Sequence, residues 1–196
     1  MYDLLDMTCI PVDIVMKLDG LFPIVGDSQV HIEDVKWEPG GSGNIFVFFN
    51  RLGGKVLPLA PIGNDIYGRW LKEVYEEEGI ETKALIVTEG YHTQVANAII
   101  DKNGVHTFAS TLPSVAFGDD ELFKELSAQS RSYYLTGYSV AGDKDLDLAQ
   151  NSMKLLRGFR EAGKPVFFDP GPRVRDIDPD MLEEIIKKKH DIMFQS

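Results

Sequence analysis

The chain has 196 residues, 43% of them hydrophobic, enough to bury one substantial core. Its formal charge of −11, from 20 basic and 31 acidic residues, argues against nucleic acid or an anionic membrane surface as the main partner. No apolar run approaches ~20 residues, Met1-Tyr2-Asp3 lacks the basic start of a signal peptide, and Cys9 is the only cysteine, so composition points to a cytoplasmic globular protein without disulfides.

In chain order, Leu4 to Val12 reads as a short buried strand with Cys9 inside it as a core residue, and Asp13 follows at its carboxyl end. Gly20 to Gly26, with Pro23, is a loop, and the alternation of Val30, Ile32, Val35 and Trp37 predicts a strand over Ser28 to Trp37. Gly40-Gly41 then opens a helix that closes at Gly53-Gly54, Lys55 to Ile62 is a strand, and Gly63-Asn64-Asp65 starts the next helix. That helix, Asp65 to Glu78, carries Ile66, Trp70, Leu71 and Val74 on one face and stops at Gly79. Lys83 to Thr88 is a further strand. Thr93 to Ile100 and Val105 to Ala109 flank Asp101-Lys102-Asn103-Gly104, a hairpin signal because Asn-Gly tolerates positive φ.

The second half alternates in the same way. Phe117 to Gln129 is a helix with Asp119-Asp120 at its positive end, and Ser132 to Thr136 is a strand that runs into Gly137-Tyr138. Asp145 to Glu161 is a helix stopped by Gly163, and Pro165 to Phe168 a strand that ends in Asp169-Pro170-Gly171-Pro172-Arg173. Pro179 to Lys189 is a helix, and Asp191 to Phe194 begins a last strand whose open edge predicts poor solubility or a partner strand. This alternation predicts an α/β fold, a mostly parallel sheet covered by helices on both faces, over one domain spanning residues 1–196. His31, His92, His106 and His190 have no metal-ligand spacing, and no metal site is expected from this chain.

The most specific stretch is Pro39 to Gly68. Gly40, Gly41, Asn44, the Arg-Leu-Gly that ends at Gly53, and Gly63-Asn64-Asp65 through Gly68 resemble the first motif of the PfkB (ribokinase-like) carbohydrate kinases. Ser42 replaces a usual Gly, Ala or Pro, and Phe46 a usual small residue, which predicts different packing of the first helix near the sugar. The resemblance extends to Asp13, the turn at Asp101 with the preceding Thr93, the strand before Gly137-Tyr138, and a D-P-N-P-R segment in which Gly171 stands for Asn.

The resemblance implies a ribokinase-like fold and transfer of a phosphoryl group from ATP, with Mg²⁺, to a hydroxyl of a sugar or nucleoside. It implies a small β-lid from residues 13–38 and 91–110, with two subunits pairing through it; an ordinary edge hairpin is the alternative. It makes Asp13, Gly40, Gly41, Asn44, Thr136 and Gly137 substrate-binding residues and sets Asp169 and Arg173 near the phosphate.

The N-x-x-E and G-A-G-D motifs that complete the family's catalytic site do not occur in this sequence. The expectation is a truncated kinase that holds the substrate half, lacks the general base and does not turn over alone. A non-catalytic sugar-binding module completed by another chain is the competing expectation. A dinucleotide-binding protein using Gly40-Gly41-Ser42-Gly43 fits less well, because G-x-G-x-x-G is absent.

Overall fold

In the computed structural model, residues 1–111, 117–142, 147–187 and 192–193 are described. Six strands form one parallel sheet: β1 (Tyr2–Met7), β4 (Val56–Ile62), β5 (Leu85–Val87), β8 (Ser130–Thr136), β9 (Val166–Asp169) and β10 (Ile192–Met193), in the order β10-β9-β8-β1-β4-β5. A second sheet, ordered β3-β2-β6-β7, is built from β2 (Val12–Leu18), β3 (Ile32–Pro39), β6 (Val95–Ile100) and β7 (His106–Ser110). Here β2 runs parallel to β6, while β3 and β7 are antiparallel to their neighbours.

The helices are α1 (Ser42–Arg51), α2 (Ile66–Glu77), α3 (Asp120–Ala128), α4 (Gly137–Val140), α5 (Asp147–Glu161) and α6 (Pro179–Ile186). Strand alternation sends Leu5, Met7, Leu57, Tyr133 and Leu135 to one face of the large sheet, where they pack with Phe159, Leu156 and Met181 of α5 and α6. Leu4, Val56, Ala60 and Tyr134 go to the other face, with Phe46 of α1 and Leu71 and Tyr75 of α2. Helices therefore cover both faces of a parallel sheet, as the alternating pattern predicts.

Several boundaries differ from the sequence reading. The apolar run Leu4 to Val12 is not one strand: β1 stops at Met7, and Thr8 to Pro11 carry the chain into the second sheet. Cys9 lies in this connection rather than in a strand, half-buried, and burial pushes its thiol up to about 12, with a hydrogen bond from Tyr91 acting the other way. Asp13 is consequently the second residue of β2 and not the cap of β1. Strand β3 is shifted toward the helix, Ile32–Pro39 instead of Ser28 to Trp37. Helix α6 ends at Ile186; the expected starts at Asp145 and Asp191, and the ends at Lys189 and Phe194, fall outside the described residues.

The two sheets are joined by polar and aromatic ties. Asp65 caps α2 by accepting from Gly68 N at 2.8 Å, and it also accepts from Thr93 N and Thr93 Oγ1, each at 2.8 Å. Thr93 Oγ1 in turn accepts from Gly63 N. Trp37 of β3 packs on Tyr67 and Trp70 of α2, with centroids 5.0 and 5.7 Å away. Asp101 holds the predicted turn by accepting from Asn103 N and Val105 N, and it reaches Phe22 N in the loop after β2.

Burial acts to raise the Asp65 carboxyl, but its bonds from Gly68 and Thr93 outweigh burial and hold it below the usual carboxylate range. Its contribution is therefore present above the ordinary carboxylate pKa and lost as pH falls through the lowered value. Asp65→Ala is expected to cost about 2 kcal/mol, read as a lower urea midpoint at unchanged slope at neutral pH, with the gap to wild type closing in acid.

Candidate functional site

The connection Thr8 to Pro11 and the Gly40-Gly41 turn meet at the carboxyl end of β1. Gly40 N donates to Pro11 O at 2.9 Å, and Gly43 N donates to Gly40 O at 2.9 Å. A β-carbon on Gly40 would stand 2.0 Å from Asp13 Oδ1, so only glycine lets this carboxyl lie against the start of α1. Gly41 has φ +53°, a left-handed conformation that again favours glycine.

Asp13, Gly40 and Gly41 thus come together, and Asn44 follows on the first turn of α1, exposed, its side chain without a hydrogen-bond partner among the described residues. Asp13 is half-buried and in register with Glu38. Burial first, and the Glu38 charge second, push its carboxyl up to about 6. The group is ionised at neutral pH, and as a carboxylate it is acceptor-only, suited to two donating hydroxyls.

A second group forms at the ends of β8 and β9, where Thr136 and Asp169 are register partners. Thr136 is buried and caps α4, accepting from Ser139 N at 3.3 Å, so its hydroxyl is largely committed to the fold. A β-carbon on Gly137 would meet Pro170 O at 2.0 Å, which joins this turn to the Asp169 segment. Asp169 accepts from Tyr134 Oη at 3.1 Å and from Gly171 N at 2.9 Å. Gly171 has φ +55°, a conformation open to both Gly and Asn, which explains how it stands in for asparagine. Arg173 Nε donates to Asp176 Oδ2 at 2.7 Å.

Beneath the first group lie Asp6 and Tyr75, which the sequence reading passed over, together with Ser42 and Phe46. Asp6 is fully buried in β1, and neither carboxylate oxygen has a hydrogen-bond partner. Ser42 is buried at the start of α1, and the buried Tyr75 hydroxyl also lacks a partner. The one available signal was a charged residue inside the apolar run Leu4-Leu5-Asp6-Met7. Phe46 is fully buried and meets Tyr75 edge-on at 6.0 Å.

Among the described residues no cluster of three or more His, Cys, Asp or Glu could hold a metal ion, and no helix is long and apolar enough to cross a membrane. Asp169 and Arg173 are each engaged within the protein, so the described residues do not by themselves assemble a site that fits the phosphates of ATP.

A parallel sheet covered by helices on both faces, with a glycine turn at the carboxyl end of β1, is an α/β protein of ribokinase-like fold, as solved structures show. Halothermothrix orenii fructokinase superposes with a TM-score of 0.73 at 23% identity, over 94% of this chain and 65% of that one. Ribokinase from Cryptococcus neoformans var. grubii serotype A, solved in complex with ADP, gives 0.68 at 20% identity, over 97% and 57%. At such identities these likenesses establish the fold alone.

The sequence profile of the pfkB family carbohydrate kinases matches residues 6–196, and the chain belongs to that family. Among curated relatives, the aminoimidazole riboside kinase of Salmonella typhimurium is 26% identical over 160 residues, 79% of this chain and 50% of that protein. The probable fructokinase-3 of Arabidopsis thaliana is 24% identical over 69% of this chain and 39% of its own length. The chain spans about half the length, or less, of these relatives.

The contact between Gly137 and Pro170 is backbone against backbone, so it cannot relax by a rotamer change. Gly137→Ala is expected to destabilise the fold by about 1–3 kcal/mol, read from urea unfolding, whereas Gly158→Ala, with open space around it, is expected to be neutral or stabilising.

Proposed function

We propose that this chain carries the substrate-gripping part of an ATP-dependent kinase that phosphorylates a hydroxyl of a sugar or nucleoside. The observation that carries the reading is the Asp13 carboxylate seated against Gly40, beside the exposed, unpartnered Asn44. Asp13 accepts from two substrate hydroxyls, Asn44 adds a donor and an acceptor, and the bare backbone of Gly40 and Gly41 lets the ring come close. Thr136 and Gly137 border the substrate at the neighbouring strand end, and Asp169 and Arg173 lie toward the phosphate path. In this reading ATP would supply the transferred group and Mg²⁺ would neutralise its charge, at a site that needs more than the described residues.

Calorimetric titration with D-ribose, D-fructose and adenosine tests this reading. One of the three is expected to bind saturably, and Asp13→Ala to weaken it about 10–100-fold, the scale of a charged hydrogen bond lost. Equal binding by the variant would sink the reading. Because the acceptor is the ionised carboxyl, wild-type affinity is expected to fall as pH drops through about 6, a dependence that Asp13→Asn removes.

The second sheet acts in this reading as a lid and as the surface through which two copies pair. Supporting this, Leu18 is in register with Ile32 and Met16 with Val35, an apolar face on which Ile32 and Val35 are exposed. Sedimentation equilibrium is expected to give a dimer for wild type and a monomer for Val35→Asp; a monomeric wild type refutes the pairing.

A further inference from the structure

Between α3 and α5, on the face of the large sheet opposite α1 and α2, the helices leave a cleft of about 360 Å³. Small-molecule sites have volumes of about 300–1,000 Å³ and an apolar lining with a few placed polar groups. This cleft has that character. Phe123, Leu155 and Phe159 form its floor. Lys164 closes one end, where its ammonium donates to Ser127 O at 2.6 Å and to Ser130 O at 2.7 Å.

Gly158 lies inside α5 and lines the same cleft. A glycine in a helix interior costs stability relative to alanine, yet a β-carbon on Gly158 would meet nothing within 4 Å. Packing therefore does not require glycine at this position. What the missing side chain does is keep the cleft open.

The rim is basic, on a chain whose net charge is −11. Lys124 and Lys154 line it against a single carboxyl, Asp120. Lys154 Nζ donates to Asp120 Oδ1 at 2.9 Å, which links α5 to α3. Lys124, one turn after Asp120 on α3, has no hydrogen-bond or ion-pair partner among the described residues. With Lys164 held by two carbonyls, Lys124 is the cation left for a ligand. Lysine stems lie along apolar surface and keep the ammonium in water, so an apolar body and an anionic head both find partners here.

From Lys154 to Ala162 the cleft follows α5 for about 12 Å, at about 1.5 Å of rise per residue. A cleft drawn out along a helix suits an extended chain better than a compact polar ligand. We propose that it binds an amphipathic monocarboxylate, an unbranched medium-chain fatty acid anion, whose chain lies along Leu155, Gly158 and Phe159 and whose carboxylate accepts from Lys124.

This site is independent of the sugar-site reading, because the cleft shares no residue with the junction of Asp13 and Gly40.

The test follows the backbone amide resonances of the full chain during titration with hexanoate, octanoate and decanoate. The shifts are expected to saturate and to centre on residues 123–128 and 154–162. Affinity is expected to rise about fourfold for each added methylene. The neutral 1-octanol, which has the same chain without the charge, is expected to bind about 2–5-fold more weakly than octanoate. Shifts that do not saturate, that centre on Gly40 to Asn44, or that ignore chain length overturn the proposal, as does equal binding of 1-octanol.

Two variants complete the test. Gly158→Leu fills the cleft from a position with open space around it. It is expected to remove octanoate binding and to leave the urea midpoint at or above that of wild type. Lys124→Gln changes an exposed side chain and is expected to bring octanoate down to the affinity of 1-octanol. Undiminished octanoate binding in either variant overturns the proposal. If Gly158→Leu lowers the midpoint, Lys124→Gln decides by itself.

Discussion

One backbone hydrogen bond, from Gly40 N to Pro11 O at 2.9 Å, closes the junction on which the arrangement depends. The chain leaves the large sheet after Met7, builds two strands of the small sheet, and must return to the same point to start α1. Closing that excursion sets Asp13, Gly40, Gly41 and Asn44 beside the carboxyl end of β1, where ligands bind in open α/β sheets. The junction tolerates no side chain at position 40, because the space is already filled by the Asp13 carboxyl. Local geometry and candidate chemistry are thus the same constraint.

The two faces of the large sheet are built differently. Beneath α5 the packing runs from Leu5 and Leu57 to Phe159, with the buried, unpartnered hydroxyls of Tyr133 and Ser152 among the apolar side chains. Beneath α1 and α2 the core includes an unpartnered carboxyl and an unpartnered phenol, Asp6 and Tyr75, at the point where α1 begins. Buried polar groups left unpaired cost stability, and both faces carry them, Asp6 and Tyr75 on one and Tyr133 and Ser152 on the other. Phe46 fills the space against Tyr75, so the large side chain at this position is taken up by the core.

Much of this was legible in the residues. Gly53, Gly79 and Gly163 stop helices, and Gly104 completes the turn at Asp101, because the backbone needs positive φ there and glycine supplies it. Strand and helix periods then gave the order of elements and the α/β class. The run Leu4 to Val12 hid the change of sheet, since burial on both sides of Thr8 to Pro11 leaves the apolar pattern unbroken. Periodicity also says which residues are buried without saying against what. The inward face of Phe46, the contact of Asp13 with Gly40 and the packing around Asp6 are all long-range, and none has a local signature.

The aromatic seam between the small sheet and α2 contains Trp37 and Trp70, and these are the two tryptophans of the chain. Their indoles sit edge to face at 5.7 Å, with Tyr67 alongside, where one sheet bears on the other. The protein's tryptophan emission therefore originates from that single seam. Any rocking of the small sheet relative to the large one changes the environment of both fluorophores at once, so the molecule carries its own optical gauge of how tightly the two sheets are closed.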